Sequence, residues 1–266
     1  MQSKRFIANM PPRFRAPSPF AWGLAIIFIA LFVQGVMATE ITLERLLKGA
    51  VNLTHFIGRA FPPNLKDFDT IAWAMFETLN IAIVGVVVGV ILSLPFALLA
   101  ARNTTPSPWV RNVVKLMIAT MRTIPDLIWA LIFVVAVGLG PMAGVLAIMI
   151  DTIGFAARFF SERIEEVHPG PSDALTATGA GRLSVIGGAI LPETFASMTA
   201  TSLYSVEKAL RSAVTLGLVG AGGIGVELAA AMRLFNYDEA LTIILVILVA
   251  VIGFEQLSSQ IRKRVI

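Results

Sequence analysis

Apolar stretches of about 18 or more residues recur along this chain, and they constrain its fold more than any other feature. A helix of that length crosses a hydrocarbon core of about 30 Å. Only 14% of the residues are charged, whereas soluble domains carry about 25%. We therefore predict an all-α integral membrane protein with about six transmembrane helices. The predicted spans cover residues 20–37, 71–101, 111–137, 142–160, 191–210 and 239–256.

The positions of the basic residues predict how these spans are oriented. The net charge is +4, and the basic residues lie at the ends of apolar runs, which is typical of membrane topology rather than of nucleic-acid binding. The larger, inner set is Lys4, Arg5, Arg13, Arg15, Arg102, Arg111, Lys115, Arg158, Arg163, Arg182, Arg262, Lys263 and Arg264. The smaller, outer set is Arg45, Lys48, Arg59, Lys66, Lys208, Arg211 and Arg233. This asymmetry predicts that both termini lie in the cytoplasm.

The N-terminal part, residues 1–70, is predicted to hold the first span and an external amphipathic helix. Residues 36–38 would also fit a signal-peptide cleavage site, although the apolar run before them is long for a signal sequence. Residues 41–61 place apolar and polar side chains on opposite faces of a helix, which would lie at the outer membrane surface or pack on the spans. Residues 71–266 are predicted to form the main transmembrane domain.

A polar stretch at residues 162–192 interrupts the apolar pattern. It contains the segment Asp173-Ala-Leu-Thr-Ala-Thr-Gly179. After nine intervening residues comes the segment Ala189-Ile-Leu-Pro192. Asp173 is predicted at the start of a short helix, where unpaired N–H groups favour a carboxylate. Gly179 is predicted to end that helix, after which the chain re-enters the membrane.

This pattern resembles the cytoplasmic coupling loop of ABC importer permeases. The family pattern reads Glu-Ala-Ala, three residues, Gly, nine residues and Ile-x-Leu-Pro. Here Asp173 replaces Glu, Leu175 replaces the second Ala and Ala189 replaces Ile, while the spacing from Gly to Leu-Pro is intact. The resemblance implies that the residues of ATPase coupling are Asp173, Ala174, Leu175, Gly179, Leu191 and Pro192.

Residues 217–225 contain five glycines, so a regular spanning helix is not expected there. Three of these glycines match the dinucleotide-binding pattern G-x-G-x-x-G, but no strand or βαβ unit surrounds them. Irregular backbone within a membrane is tolerated only where it is buried in protein or lines a cavity. We therefore predict a re-entrant or broken segment near the translocation pathway.

Three charged residues fall inside the predicted spans, namely Arg122, Asp126 and Asp151. A charge at such a depth is costly and usually faces a polar cavity or a partner. Arg122 either forms an internal ion pair with Asp151 or Asp126, or contacts an anion in the pathway. Glu207 and Arg211 stand four residues apart and could pair with each other. The candidate pathway residues are Arg122, Pro125, Asp126, Asp151, Glu207, Arg211, Gly217, Gly220, Gly222, Gly223 and Gly225.

Three further stretches look like the permeases of phosphonate-type ABC importers. They are residues 133–141, residues 166–171, and the segment that holds Glu207, Arg211 and glycines 217–225. The resemblance implies a type I importer permease fold in a bacterial inner membrane. It implies a homodimer with cytoplasmic ATP-binding subunits and an extracytoplasmic substrate-binding protein as partners. It also implies uptake of a phosphonate or a related oxyanion such as phosphite, with no cofactor in this chain.

No catalytic constellation is visible, because the two histidines are far apart and cysteine is absent. We therefore expect ATP hydrolysis by a partner and no enzyme activity or metal site in this chain. The alternative is a secondary transporter driven by an ion gradient, in which Asp126 and Asp151 would be the coupling carboxylates. That alternative predicts transport by this chain alone.

Overall fold

The computed structural model of the protein describes residues 18–40 and 42–265, with side chains described as far as Lys263. Four basic residues assigned to the inner side lie outside the described residues, as does the side chain of Arg264. Those four are Lys4, Arg5, Arg13 and Arg15. The chain divides into two units, residues 1–58 and residues 59–266.

The first unit contains helix α1 (Pro19–Ala38) and most of helix α2 (Leu43–Ala60). Ser18 caps α1, because its side chain accepts a hydrogen bond from the backbone N–H of Ala21 at 3.2 Å. Helix α1 is apolar on all sides and coincides with the predicted first span. Helix α2 separates an apolar face from a polar one, within the residues for which an amphipathic helix was predicted. Its position at a membrane surface stays a prediction.

The second unit is built from helices throughout its described residues. The long helices are α3 (Phe68–Ala100), α6 (Pro141–Glu165), α9 (Leu191–Gly217) and α11 (Tyr237–Val265). The shorter helices are α4 (Pro108–Thr123), α5 (Asp126–Val137), α7 (Pro169–Ala177), α8 (Arg182–Val185) and α10 (Ile224–Arg233). A π-helical turn, Ile186–Ile190, joins α8 to α9 without a break.

Five helical runs are long and apolar enough to cross a membrane, and a sixth span is present if α4 and α5 are counted together. The five runs are Pro19–Ala38, Phe68–Ala100, Pro141–Glu165, Arg182–Gly217 and Tyr237–Lys263. The predicted all-α membrane fold with about six spans is therefore confirmed. The fourth, fifth and sixth spans are longer than predicted.

The third span is not the continuous helix predicted over residues 111–137. Helices α4 and α5 meet at an angle of 91°. The bend falls at Ile124 and Pro125, where Ile124 has extended backbone angles. Proline cannot donate a backbone hydrogen bond, and it disfavours the helical conformation in the residue before it. Distance along α4 therefore does not measure depth along α5, and the placement of Arg122 inside one straight span loses its basis.

The core of the second unit forms where α3 packs closely against α6. A Cβ atom added to Gly85 would lie 2.7 Å from Cγ2 of Ile148, and one added to Gly89 would lie 2.6 Å from Cβ of Thr152. The G-x-x-x-G spacing places both glycines on one face of α3, so the two backbones can approach each other. This contact fixes α6, which carries Asp151 and leads into the polar loop.

Candidate functional site

The short helix α7 lies between the two long runs that end at Glu165 and begin at Arg182. It starts at Pro169, and Nδ1 of His168 accepts a hydrogen bond from the backbone N–H of Gly170 at 3.1 Å. Asp173 is therefore the fifth residue of α7, so its predicted place at the helix start is wrong. Proline favours the first helical position, which moves the start four residues earlier. The sequence interpretation missed the capping role of His168.

The end of α7 follows the prediction for Gly179. Its φ is +84°, its N–H donates to the carbonyl of Thr176 at 3.0 Å, and the N–H of Ala180 donates to the carbonyl of Leu175 at 3.2 Å. This pair of bonds is the Schellman motif, which requires a left-handed residue at the glycine position. The helix stop predicted at Gly179 is confirmed.

The six candidate coupling residues occupy different positions around this loop. Leu175 packs over Gly188 of the π-helical turn, where an added Cβ would lie 3.3 Å from Cδ1 of Leu175. Asp173 and Ala174 are exposed on α7. Leu191 packs into the core at the start of α9, and its neighbour Pro192 is exposed. The structure therefore brings only part of this set to the free surface of α7.

The carboxylate of Glu165, at the end of α6, holds the loop between α3 and α4. It accepts hydrogen bonds from the backbone N–H of Arg102 at 2.9 Å and from Nζ of Lys115 at 3.4 Å. Nη2 of Arg111 lies 3.8 Å from the same carboxylate. One acidic side chain thus joins α6 to the α3–α4 loop and to α4.

Two further side chains tie the α3–α4 loop to the polar segment. Nδ2 of Asn103 donates to the carbonyl of Ile164 at 2.7 Å. Nη2 of Arg182 donates to the carbonyl of Thr104 at 3.0 Å and also to that of Thr105. We call this set of contacts around Glu165 and Arg182 the loop platform. A cavity of about 610 Å³ separates the platform from α7, with Ser172, Asp173 and Thr176 on its α7 side.

The glycine segment is a broken helix, as predicted. Helix α9 ends at Gly217, residues 218–223 form turns, and α10 then starts at Ile224. The N–H of Gly223 donates to Oε1 of Glu77 at 3.1 Å, and the N–H of Ile224 donates to Oγ1 of Thr78 at 2.7 Å. Two side chains of α3 therefore cap α10, and nothing in the local sequence marked them.

Several glycines of this segment are required by close contacts. A Cβ atom on Gly225 would lie 2.0 Å from the carbonyl oxygen of Val214, and one on Gly217 would lie 2.6 Å from Cα of Gly225. Gly220, Gly222 and Gly223 have positive φ. Helix α10 has ten residues, or about 15 Å, which is half of a hydrocarbon core. The segment thus packs closely on α9, and α10 alone is too short to cross a membrane.

Asp151 pairs with Lys208, so both predicted ion pairs of Arg122 are wrong. Nζ of Lys208 lies 2.9 Å and 2.7 Å from the two carboxylate oxygens of Asp151. Asp126 instead accepts a hydrogen bond from the backbone N–H of Leu127 at the start of α5. The described residues contain no ion pair between Arg122 and either carboxylate.

Arg122 lies beside α6, one turn further along it than Asp151. A Cβ atom on Gly154 would lie 3.0 Å from Cγ of Arg122. Arg122 is exposed, and no described side chain pairs or hydrogen bonds with its guanidinium. It lines a cavity of about 200 Å³ with Arg158 and Glu162, among other residues. The guanidinium therefore remains available to an anion.

Glu207 binds two arginines, which corrects the assignment of charges to membrane sides. Its carboxylate lies 3.4 Å from Nη1 of Arg211 and 3.6 Å from Nη2 of Arg262. The possible i,i+4 pair of Glu207 with Arg211 is thus present. Arg211 and Arg262 were assigned to opposite sides of the membrane, and their shared carboxylate excludes that arrangement.

The partly exposed face of α6 carries an ordered row of residues. Asp151, Phe155, Arg158 and Glu162 follow one another at spacings of four, three and four residues, which places them on one side of the helix. Arg158 donates to the carboxylate of Glu162. Charged side chains on a spanning helix face a polar cavity or a partner rather than lipid. We call this row the charged face of α6.

Known proteins resemble this chain in sequence and in fold. The family model for "binding-protein-dependent transport system inner membrane component" matches residues 93–263. The putative phosphite transport system permease protein HtxC of Stutzerimonas stutzeri is 35% identical over 90% of this chain and 84% of its own length. The phosphite transport system permease protein PtxC of the same organism is 35% identical over 90% of this chain and 87% of its own.

A longer relative is the phosphate-import permease protein PhnE of Mycolicibacterium smegmatis. It is 38% identical over 87% of this chain, which covers 43% of that protein. Among solved structures, the inward-facing MetNI methionine ABC transporter matches with a TM-score of 0.66 at 19% identity, over 74% of this chain and 96% of that one. A bacterial ABC transporter that imports alginate matches with a TM-score of 0.64 at 14% identity, over 90% and 95%. At these identities the structural similarity shows the fold alone.

Proposed function

Because the chain belongs to the family of binding-protein-dependent transport system inner membrane components, we propose that it forms the pathway by which an ATP-driven importer carries a phosphorus oxyanion. It is a multi-pass permease of the inner membrane and has the fold of ABC importer permeases. The substrate class is supported by relatives whose names specify phosphite, phosphate or phosphonate transport. No comparison supports the alternative of a transporter driven by an ion gradient.

The observation that carries the proposal is the connection of α7 to the membrane helices. Helix α7 is capped at both ends, by His168 and by the Gly179 turn, and its outer surface is exposed. The loop platform joins its flanks to α3, α4 and α6 through Glu165 and Arg182. A partner that moves α7 therefore displaces three membrane helices together.

This arrangement suits a two-state transport mechanism. The ATPase partner would bias the permease between inward-open and outward-open forms, and each ATP cycle would shift that equilibrium through α7. The chain itself binds and orients the substrate and contributes no hydrolysis. The charged face of α6 and the broken segment after α9 are the parts of the pathway that would contact the substrate.

We assign the partners from the resemblance to importer permeases. A second permease copy, cytoplasmic ATP-binding subunits and an extracytoplasmic binding protein would complete the transporter, with both termini of this chain in the cytoplasm. Relatives with paired names, HtxC and HtxE of Stutzerimonas stutzeri, allow a second and different permease in place of a second copy. Mass spectrometry of the purified complex distinguishes a homodimer from such a pair.

Reconstitution into proteoliposomes tests the proposal. The chain is purified alone and with its co-purifying partners, and uptake of phosphite, phosphate and methylphosphonate is measured with and without internal and external ATP. We expect uptake that requires ATP on the ATPase side, the ATPase and the binding protein. Uptake by the chain alone under a proton or sodium gradient would contradict the proposal.

A further inference from the structure

The ion pair of Lys208 and Asp151 joins α9 to α6 at Asp151, the first residue of the charged face. The ammonium bonds to both carboxylate oxygens, at 2.7 Å and 2.9 Å. The side chains are 34% and 22% exposed, so neither charge is enclosed in the core. Both side chains therefore keep part of their surface outside the core of this chain.

The ring of Phe155 lies beside the ammonium group. Nζ of Lys208 lies 5.1 Å from the centre of the Phe155 ring, and the ring of Tyr204 lies 5.6 Å from that of Phe155. Tyr204 precedes Lys208 by one helical turn and is 42% exposed. The ammonium group thus has an apolar ring beside it, and small sites for polar solutes combine such apolar walls with a few polar groups.

The chemistry of the pair is that of a temporary anion site. A carboxylate presents two oxygens to an ammonium group, and a phosphorus oxyanion presents oxygens in a similar way. The lysine ammonium is a compact charge with three rotatable donors. It can therefore donate hydrogen bonds to a tetrahedral anion that approaches in any of several orientations. Charged pairs inside spanning segments are costly and are typically retained for function.

We propose that Lys208 binds the transported anion, and that Asp151 occupies this ammonium group only while the pathway is empty. This inference rests on the proposed function and names the contact at which the substrate charge is recognised. The ligand class is a small tetrahedral oxyanion, which displaces the Asp151 carboxylate from Lys208. When the anion leaves, Asp151 returns to Lys208, which opposes rebinding.

Arg122 of α4 is a cation that lies beside the next turn of α6 after Asp151. Arg122 adjoins Gly154, one turn beyond Asp151, and no described side chain pairs with it. Arg158 follows a further turn along α6 and is held by Glu162. An anion released from Lys208 therefore meets an unpaired guanidinium on the side that leads toward the loop platform.

Neutral substitutions separate this inference from a purely structural ion pair. The complete transporter is reconstituted with Lys208→Met, Asp151→Asn, the double variant and the control Lys66→Met. Phosphite, phosphate and methylphosphonate uptake is measured, and size-exclusion chromatography quantifies assembled complex.

If Lys208 binds the anion, Lys208→Met should lower uptake per complex about tenfold or more, the effect of one lost charge-assisted hydrogen bond. Asp151→Asn should keep uptake within about threefold of the unmodified complex, because it removes a competitor of the anion and not the group that binds the anion.

The double variant gives the decisive result. If Lys208 contacts the anion, the double variant should be as inactive as Lys208→Met. The control Lys66→Met should import normally. A structural pair instead predicts equal losses in both single variants, since either leaves an unpaired charge, and recovery in the double variant. Recovery in the double variant, or normal uptake by Lys208→Met, would overturn the inference. Failure of the unmodified complex to import any of the three oxyanions would refute the proposed function instead.

Discussion

The carboxylate of Glu165 accepts a hydrogen bond from the backbone N–H of Arg102 at 2.9 Å, which joins the end of α6 to the first residues after α3. The same carboxylate binds Lys115 of α4. Three membrane helices therefore meet at one side chain, which lines the cavity between the loop platform and α7.

Removal of this acid should loosen the platform. Glu165→Ala leaves the Arg102 N–H and two basic side chains without their acceptor, so we expect a loss of about 1–3 kcal/mol in stability and less uptake per ATP hydrolysed. Thermal unfolding of the purified complex and coupled uptake assays measure the two effects. Glu166→Ala is the matched control, because that exposed pair with Arg163 should contribute about 1 kcal/mol or less. Equal stability of the two variants would contradict this account.

The left-handed turn at Gly179 should be sensitive to any Cβ atom. Gly179→Ala forces an alanine to adopt a φ of +84°, which costs about 1–2 kcal/mol, and it should reduce the uptake obtained per ATP. Gly179→Asn should be milder, because asparagine tolerates this conformation. Gly181→Ala serves as the control, since Gly181 has a φ of −69° and nothing within 4 Å of an added Cβ. If Gly181→Ala uncouples as strongly as Gly179→Ala, backbone geometry is not the cause.

The cap that α3 provides to α10 should depend on one hydroxyl group. Thr78 is fully buried and accepts from the N–H of Ile224 at 2.7 Å. Thr78→Val keeps the shape but leaves that buried N–H without an acceptor, at a cost of about 1–3 kcal/mol. Thr78→Ser keeps the hydroxyl and should retain most of the stability. Thermal unfolding compares the variants, and equal melting temperatures would show that the hydroxyl does not support α10.

The contact between Gly225 and α9 should exclude every larger residue. A Cβ at this position would lie 2.0 Å from the carbonyl oxygen of Val214, so Gly225→Ala must displace backbone, at about 1–3 kcal/mol or more. We expect a lower yield of assembled permease in membranes. Gly253→Ala in α11 is the control, because nothing lies within 4 Å of its added Cβ. A normal yield and melting temperature for Gly225→Ala would show that α9 and α10 can separate.

Features fixed by local chemistry were predictable from the sequence. The turn at Gly179 follows from the positive φ that glycine adopts after a helix, and the break at 217–225 follows from glycine content. The bend at Pro125 was also available from local rules, because the residue before a proline avoids the helical conformation. Residues 111–137 are apolar over a length that can span a membrane, so a continuous helix was predicted there instead.

Features fixed by contacts between distant helices were not predictable. Asp151 pairs with a lysine 57 positions away, and this choice depends on how α6 and α9 rotate against each other. Glu77 and Thr78 cap a helix 146 positions further along the chain. Periodicity reports which residues share a face of one helix, but it does not report which helix that face meets.

The unbroken run from Arg182 to Gly217 has a mechanical consequence. Its 36 residues give a rod of about 54 Å, with the loop platform at one end and the glycine segment at the other. A tilt of about 10° around its midpoint would move each end by about 5 Å in opposite directions. The run thus acts as a lever arm, with Lys208 nearer the glycine end, so a small rotation imposed beside α7 becomes a displacement comparable to the diameter of the anion itself.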